Sequence, residues 1–346
     1  MYDQLLGGGL GQPGPEENGP EPDFVTWLLY LDRAEDPGWL GTFARWWHDE
    51  VCRVLLPFVH PAGAAAPATS LTAFEQDAGG RGRRRRPGRW VDGITDNFAQ
   101  LSARWFDVAP TAIASELDIF LARFAGRQHV RLQISIGFEG RSGGLPLVLP
   151  ALVELARLVG DATDPAYGEI VVNAGLLSPA TMLDAALGRS AESSAELSRT
   201  HLRGYEWVTV CPRELVAELG GPERLRASGA FAEVRPLRYG GVLLRTTDDP
   251  ADYRADRVRA AFCALAPVLP PGQPGALPTV PPAGSAMLSA VPGVLAGDPG
   301  GHDLSRVVFA DPRTLHPHPH PHPHHPTPHP PPPTPHLHLG PGPTTR

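Results

Sequence analysis

The stretch HVRLQISIGF, residues 129–138, gives the clearest strand signal in the chain. Its apolar side chains occupy every second position: Val130, Leu132, Ile134, Ile136 and Phe138. The positions between them hold Arg131, Gln133, Ser135 and Gly137. Because successive side chains of a strand point to opposite faces, this alternation predicts a strand with one buried and one polar face. A strand of that kind is typical of an antiparallel or mixed sheet.

Strands and helices alternate on both sides of this stretch. Residues 24–31, FVTWLLYL, form a short apolar run that predicts a buried strand. Residues 39–56 repeat apolar side chains at three or four residue steps, which predicts a helix with one face on a core. The segments 95–107 and 111–125 have a helical appearance, although ASELDIFL, residues 114–121, also fits a strand.

The second half of the chain continues the same pattern. Pro150 fits the first turn of a helix that ends at Gly160. Residues 205–211 then predict a strand, and two further strands flank the Tyr239-Gly240-Gly241 turn. A closing helix follows Asp249-Pro250, with Val258, Phe262 and Leu265 on one face. Interleaved helices and hairpins predict an α+β fold in which helices cover a mixed or mostly antiparallel sheet.

Composition divides the chain into a predicted folded domain and predicted disordered or flexible segments. We expect one domain over residues 23–272, a disordered leader at 1–22 and a disordered Pro/His-rich tail at 273–346, because Pro and Gly concentrate at the ends. Residues 61–88 run into the motif GGRGRRRRPGRW. We interpret them as a flexible Arg-rich insertion and assign no structure to them.

Charge and cysteine content narrow the class of partner and compartment. The 30 basic residues are all arginine, and 37 acidic residues give a net charge of −7. No global field therefore attracts nucleic acid, whereas an acidic surface suits a basic protein. Three widely spaced cysteines form no disulfide framework, and we find neither a secretion signal nor an apolar run long enough for a membrane span. We expect a soluble cytoplasmic protein.

Cys211 is the strongest candidate for a nucleophile. It ends a predicted strand just before Pro212 at a helix start, where amide dipoles lower a thiol pKa. His201 is the nearest base in sequence, and no third group is evident, so we interpret Cys211 as a small buried apolar side chain. Cys52 and Cys263 lie on apolar helix faces and are interpreted in the same way. We predict no catalytic residues, while an enzyme that uses Cys211 or a carboxylate pair stays an alternative that requires a deep pocket.

The Arg-rich motif raises the question of nucleic acid. Clustered arginines neutralise phosphates, and Trp90 beside them offers a ring for base stacking. The acidic balance of the whole chain and the lack of a recognisable nucleic-acid fold favour a solvated loop instead. We therefore do not expect a nucleic-acid partner.

The tail contains alternating His and Pro residues. The candidate metal ligands are His316, His318, His320, His322, His324 and His325. Alternating proline keeps such a segment extended, so these imidazoles would bind nickel, zinc or copper loosely rather than in a rigid site. We predict no cofactor, and a metal-binding accessory protein that acts through the tail is the alternative function.

A family resemblance covers residues 204–272. Its elements are a Trp-Val-Thr strand from Trp207, a helix ending in Leu-Gly-Gly at Gly221, a hairpin at Gly240-Gly241 and a closing helix before Pro270. In this order they resemble the C-terminal part of the type VI immunity protein family, the immunity proteins associated with VRR-nuclease effectors. The resemblance implies a non-enzymatic cytoplasmic protein that blocks a protein toxin, such as a nuclease, by direct contact. It supplies neither interface residues nor an oligomeric state.

Overall fold

The strand at residues 129–137 lies near the middle of a long antiparallel sheet. The structure is a computed structural model that describes residues 24–32, 37–60, 66–77, 81–95, 97–106, 111–124, 129–138, 143–172, 180–181, 183–184, 187–253, 255–270, 294–297 and 307–310. Within these ranges the strands of the main sheet are β1 (Phe24–Leu31), β2 (Ser70–Gln76), β3 (Gly82–Arg85), β4 (Phe98–Trp105), β5 (Glu116–Phe124), β6 (His129–Gly137), β7 (Tyr167–Val172), β8 (Val208–Cys211), β9 (Glu233–Pro236) and β10 (Val242–Arg245). Their order is β3-β2-β4-β5-β6-β1-β7-β8-β10-β9, and every neighbouring pair is antiparallel.

Helices connect and cover these strands. The α-helices of the described ranges are α1 (Pro37–Val54), α2 (Leu56–Val59), α3 (Leu145–Ala162), α4 (Ala191–Glu196), α5 (Arg213–Glu218), α6 (Pro222–Ala227) and α7 (Ala255–Leu265). Short 3-10 turns occupy Trp90–Gly93, Pro250–Asp252 and Ala266–Val268. Two further strands, β11 (Val294–Gly297) and β12 (Val307–Ala310), pair with each other only. The chain divides into one unit over Met1–Leu315 and another over His316–Arg346, and the second lies outside the described residues.

One face of the main sheet is apolar across the strands from β4 to β8. The alternating side chains of β6 lie here fully buried, as do Trp27 of β1 and Trp105 of β4. Helices α1 and α3 pack on this face, and the apolar stripe of α1 is buried against it through residues such as Trp47. Removing this apolar surface from water is the main force that holds helices and sheet together.

The opposite face differs between the two halves of the sheet. Beside β1, β7, β8 and β10 it carries a second apolar cluster that includes Tyr30, Leu215 of α5 and Phe262 of α7. Beside β2 and β4 the same face is open, since Phe74 is 38% exposed and Arg104 is exposed. The sheet is therefore covered on both faces at one end and on one face at the other.

The structure confirms the predicted α+β class. The strand at residues 24–31 is β1, and the helix expected over residues 39–56 is present as α1 followed by the single turn of α2. In the last third, β8 and the β9-β10 hairpin around Gly240 form as predicted. Gly240 has a φ of 92°, a left-handed conformation that favours glycine, so this turn depends on its residue type.

The helices expected over residues 95–107 and 111–125 are wrong, because these segments form β4 and β5. In β4 the buried residues Leu101, Ala103 and Trp105 alternate with more exposed ones. In β5 Leu117 and Ile119 do the same, so the strand alternative for ASELDIFL is confirmed. Pairing of β4 with β5 and of β5 with β6 selects this two-residue period over the local helical propensity of Ala, Leu and Arg.

Two segments that we left without structure contain strands. Residues 70–76 and 82–85 of the Arg-rich insertion form β2 and β3 at one edge of the sheet. The arginines do not prevent this, because an edge strand keeps its side chains in solvent. In the segment after residue 272, β11 and β12 form an antiparallel pair.

Candidate functional site

A cleft lies between helix α3 and the β8-β10-β9 end of the sheet. Its volume is about 330 Å³. It is lined by four residues of α3 and five of the segment 207–248: Leu149, Pro150, Val153, Glu154, Trp207, Glu233, Arg235, Arg245 and Asp248. The lining residues are far apart in sequence and meet only because α3 packs on the sheet.

The floor of the cleft is apolar and fixed. Trp207 is 3% exposed, and its indole Nε1 donates a hydrogen bond of 3.0 Å to the carbonyl oxygen of Thr247. Leu149 and Val153 of α3 belong with Trp207 to the same buried cluster. A tryptophan whose ring is packed and whose N–H is bonded has one orientation, so this floor is preformed.

Helix α3 begins earlier than its sequence indicates. We placed Pro150 in the first turn, but the helix starts at Leu145 and Pro150 lies inside it. Pro146 takes the first-turn position that suits proline. Pro150 has no N–H to donate to the carbonyl oxygen of Pro146, so the helix loses one bond near the cleft.

The rim of the cleft consists of paired charges. Arg235 Nη1 lies 2.9 Å from Glu154 Oε2, and Arg235 also pairs with Glu233. Arg245 Nε lies 3.1 Å from Glu233 Oε2, and its Nη1 lies 3.0 Å from Asp248 Oδ1. Hydrogen bonds from Arg157, and then Arg235, lower the pKa of Glu154, so this carboxylate is held ionised. Such groups suit charge recognition better than proton donation.

A second polar cluster is buried under the opposite face. Arg203 is fully buried, and its Nη2 lies 2.9 Å from Asp184 Oδ2 while its Nε donates to Ser194 Oγ at 3.0 Å. Its guanidinium carbon lies 4.2 Å from the centre of the Tyr30 ring. Pairing and cation–π contact compensate the burial of this charge.

Two carboxyl groups in the same region have raised pKa values. Burial raises the pKa of Glu169 to about 7, although Tyr167 donates a hydrogen bond of 2.6 Å to its Oε2. Burial and then the charge of Glu169 raise the pKa of Glu206 well above its usual range. A raised carboxyl pKa is common in active sites. These groups are fully enclosed, however, so we assign them to the packing of the body.

The structure gives Cys211 a buried position. Its Sγ contacts the carbonyl oxygen of Pro212 at 3.8 Å, and burial followed by the charge of Glu214 raises the pKa of its thiol. The amide dipoles of the following helix therefore do not produce a low pKa here. Cys263, which we expected on a buried face, is exposed. It follows Phe262 by one position, which rotates it about a quarter turn away from the apolar stripe of α7.

Sequence reasoning missed a contact on helix α1. Cys52 Sγ lies 3.7 Å from His48 Nε2, and His48 Nδ1 lies 3.2 Å from Asp49 Oδ1. The i, i+4 spacing of His48 and Cys52 was the available signal. Burial, and then Asp49, raises the pKa of the Cys52 thiol to about 12, so a thiolate is disfavoured.

No group of three or more metal-binding side chains occurs among the described residues. The six candidate tail ligands, His316 to His325, lie outside those residues. Within the described ranges, no helix combines the length and hydrophobicity that a membrane span needs.

The comparisons with known proteins yield one structural similarity. No protein-family model matches the chain, and no curated protein matches it. Among solved structures, the Pseudomonas aeruginosa T6SS protein PA0821 is similar over 75% of this chain and 80% of that chain, with 19% identity and a TM-score of 0.43.

Proposed function

We propose that this protein is a non-enzymatic binding protein, an immunity protein that blocks a cognate toxin by direct contact. The cleft between α3 and the sheet carries the proposal. Five of its nine lining residues, including Trp207, Arg235 and Asp248, come from residues 204–272, the part that resembles the type VI immunity family. The segment that resembles the family thus supplies more than half of the residues that line this cleft.

The anatomy of the cleft supports a protein partner. Interfaces concentrate their binding energy in a packed apolar centre, and a surrounding rim of polar groups excludes water. Here Trp207 and Leu149 form the centre, and the ion pairs of Arg235 and Arg245 form the rim. The volume is at the lower end of the ~300–1,000 Å³ typical of small-molecule pockets, so one or two partner side chains would fill it.

Charge supports a basic partner. The chain has a net charge of −7. On the rim, three carboxylates face two guanidinium groups, and the side chain of Asp248 is 86% exposed. A negative surface speeds encounter with a basic toxin and fixes its orientation.

Growth protection tests the proposal. The protein encoded next to this one would be expressed in a heterologous bacterium, alone and together with the full-length chain. Protection by the chain, together with a complex isolated by size-exclusion chromatography, supports immunity. A toxic neighbour that the chain neither binds nor relieves contradicts it. Release of the complex by a chelator would favour the metal-dependent tail instead.

A charge reversal tests the cleft. Asp248→Arg places a cation on the rim, whereas Asp252→Arg makes the same change at an exposed position that does not line the cleft. We expect Asp248→Arg to weaken toxin binding at least about tenfold and Asp252→Arg to change it less than about twofold. Equal affinities, measured by calorimetry, would place the interface elsewhere.

A further inference from the structure

The edge strand β3 presents guanidinium groups that have few carboxylate partners. Residues 81–86 read RGRRRR. The exposed arginines in this segment are Arg81, Arg83, Arg84 and Arg86. Arg85 pairs with Glu75, and Arg84 donates to the hydroxyl of Thr72 at 3.4 Å. Of the carboxylates in the described residues, none forms a salt bridge with Arg81, Arg83 or Arg86, although Arg83 lies opposite Glu75 in the β2-β3 register.

The backbone of β3 is also open on one side. Asp77 N–H donates to the carbonyl oxygen of Arg81 at 3.1 Å, and β3 pairs with β2 in antiparallel register. Alternate residues of an antiparallel strand direct their amides toward the neighbour, so Arg81, Arg83 and Arg85 face β2. The N–H and C=O groups of Gly82 and Arg84 then point away from the sheet.

Glycine at position 82 keeps this edge accessible. The ring of Phe74 lies against Gly82, and a β-carbon there would lie 2.0 Å from Phe74 Cζ. Because glycine has no side chain, residue 82 does not shield its own outward amide. Phe74 adds a partly exposed aromatic surface beside it.

Two observations favour a peptide over a nucleic acid. Trp90, the candidate ring for base stacking, is 4% exposed, and its Nε1 donates to the carbonyl oxygen of Ala44 at 3.1 Å. The outward carbonyl groups of Gly82 and Arg84 would repel phosphate oxygens, whereas a peptide strand donates N–H groups to them.

We infer that β3 is a docking edge for an extended acidic segment of a partner protein, which pairs with Gly82 and Arg84 as an additional strand. Because alternate residues of a strand share a face, carboxylates at every second position of that segment contact the arginines of one face of the sheet, Arg83 or Arg84 depending on the register. Main-chain bonds supply strand geometry and the guanidinium groups supply selectivity for acidic sequences. This second surface is independent of the cleft and of the toxin proposal.

Fluorescence polarisation with the full-length chain tests this inference. The probe is a labelled octapeptide, Thr-Glu-Val-Glu-Val-Asp-Val-Thr, at pH 8, where the tail histidines are neutral. A second peptide with proline in place of valine keeps the charge but loses strand-forming N–H groups. A labelled DNA duplex reports on the nucleic-acid alternative.

The variants separate charge from strand addition. Arg83→Gln with Arg84→Gln removes two charges from β3, and Arg45→Gln with Arg257→Gln removes two exposed charges elsewhere. We expect a loss of about tenfold for the first pair and less than about twofold for the second. Arg84→Pro also removes the outward N–H, and we expect it to bind about fivefold more weakly than Arg84→Gln.

Three results would overturn the inference. Absence of octapeptide binding means that the arginines only prevent β3 from pairing with strands of other molecules. Equal binding of the valine and proline peptides means simple charge attraction without an added strand. Tighter binding of the duplex than of the octapeptide means that phosphate is the preferred ligand.

Discussion

The two edges of the main sheet carry arginines in opposite states. At the β9 edge Arg235 contacts two carboxylates, Glu154 and Glu233, and the neighbouring Arg245 also contacts two. At the β3 edge, Arg83 and Arg86 have no carboxylate partner in the described part of the chain. Arginine thus forms ion pairs with carboxylates at the β9 edge, whereas at the β3 edge these two arginines form no salt bridge with any described residue.

This difference shows that residue type alone does not specify the role of an edge. Around the β9 edge a fixed apolar floor lies under the paired charges, so a partner side chain can contact the floor without leaving a new charge unpaired. The β3 edge has no comparable floor, because only Phe74 contributes a large exposed apolar surface there. We therefore expect shape to dominate recognition at the first edge and charge at the second.

Removing the aromatic ring at each edge tests the comparison most strongly. Trp207→Ala should lower the free energy of unfolding by about 3–5 kcal/mol, because it deletes a buried ring and leaves a cavity. Phe74→Ala should cost about 1 kcal/mol, because its ring is partly in solvent already. Urea unfolding followed by circular dichroism measures both. Equal losses of unfolding free energy would show that the apolar floor of the cleft stabilises the fold no more than the partly exposed Phe74 does.

A pH titration separates the β9 rim from the buried cluster. Glu169 has a pKa raised to about 7, so the folded state holds its proton more tightly than the unfolded state. Its contribution is fully present below about pH 4.5 and is lost as pH rises to about 7, on the order of 3 kcal/mol. Glu154, whose pKa is lowered, acts in the opposite direction, since its contribution is lost as pH falls below its ordinary pKa.

The variant Glu169→Gln isolates the first effect. It keeps an acceptor for Tyr167 but has no proton to release. The difference in unfolding free energy between the native chain and this variant should change between pH 4.5 and 7 and then level off. A difference that does not vary with pH would show that Glu169 titrates normally.

The smallest expected changes in unfolding free energy distinguish an arginine with ion pairs from one without a salt bridge. Arg235→Gln should destabilise the protein by about 0.5–1 kcal/mol, because it breaks two ion pairs on a partly exposed surface. Arg83→Gln should change stability by less than about 0.5 kcal/mol and in the stabilising direction, since it relieves repulsion among neighbouring arginines. Thermal melts at low and high salt check both signs. A larger loss from Arg83→Gln would contradict the contrast.

Periodicity predicted the centre of the sheet and failed toward the β3 edge. The alternation of residues 129–138 identified β6, and Gly240-Gly241 identified the β9-β10 hairpin. The strands β4 and β5 were misread as helical, because Ala, Leu and Arg have helical propensity that pairing overrides. Composition did not predict β2 and β3, because an arginine run indicates a loop unless the strand that it pairs with is known.

The candidate cleft could not be predicted from local sequence. Leu149 and Glu154 are separated from Arg245 by about 90 residues of sequence, and only the packing of α3 brings them together. The family resemblance covers residues 204–272, which supply five of the lining residues, but it does not include α3. The burial of Glu169 was indicated only by one carboxyl group within the apolar run of β7.

The central place of β1 has a consequence for synthesis on the ribosome. Phe24–Leu31 is made before every other strand of the main sheet, and its partners β6 and β7 follow roughly 100 residues or more later. At about 5–20 residues per second, the apolar segment FVTWLLYL waits roughly 5–20 s before either neighbour exists. During that interval its unpaired apolar surface favours self-association. Expression yield should therefore depend on how the nascent chain is protected as well as on the stability of the finished sheet.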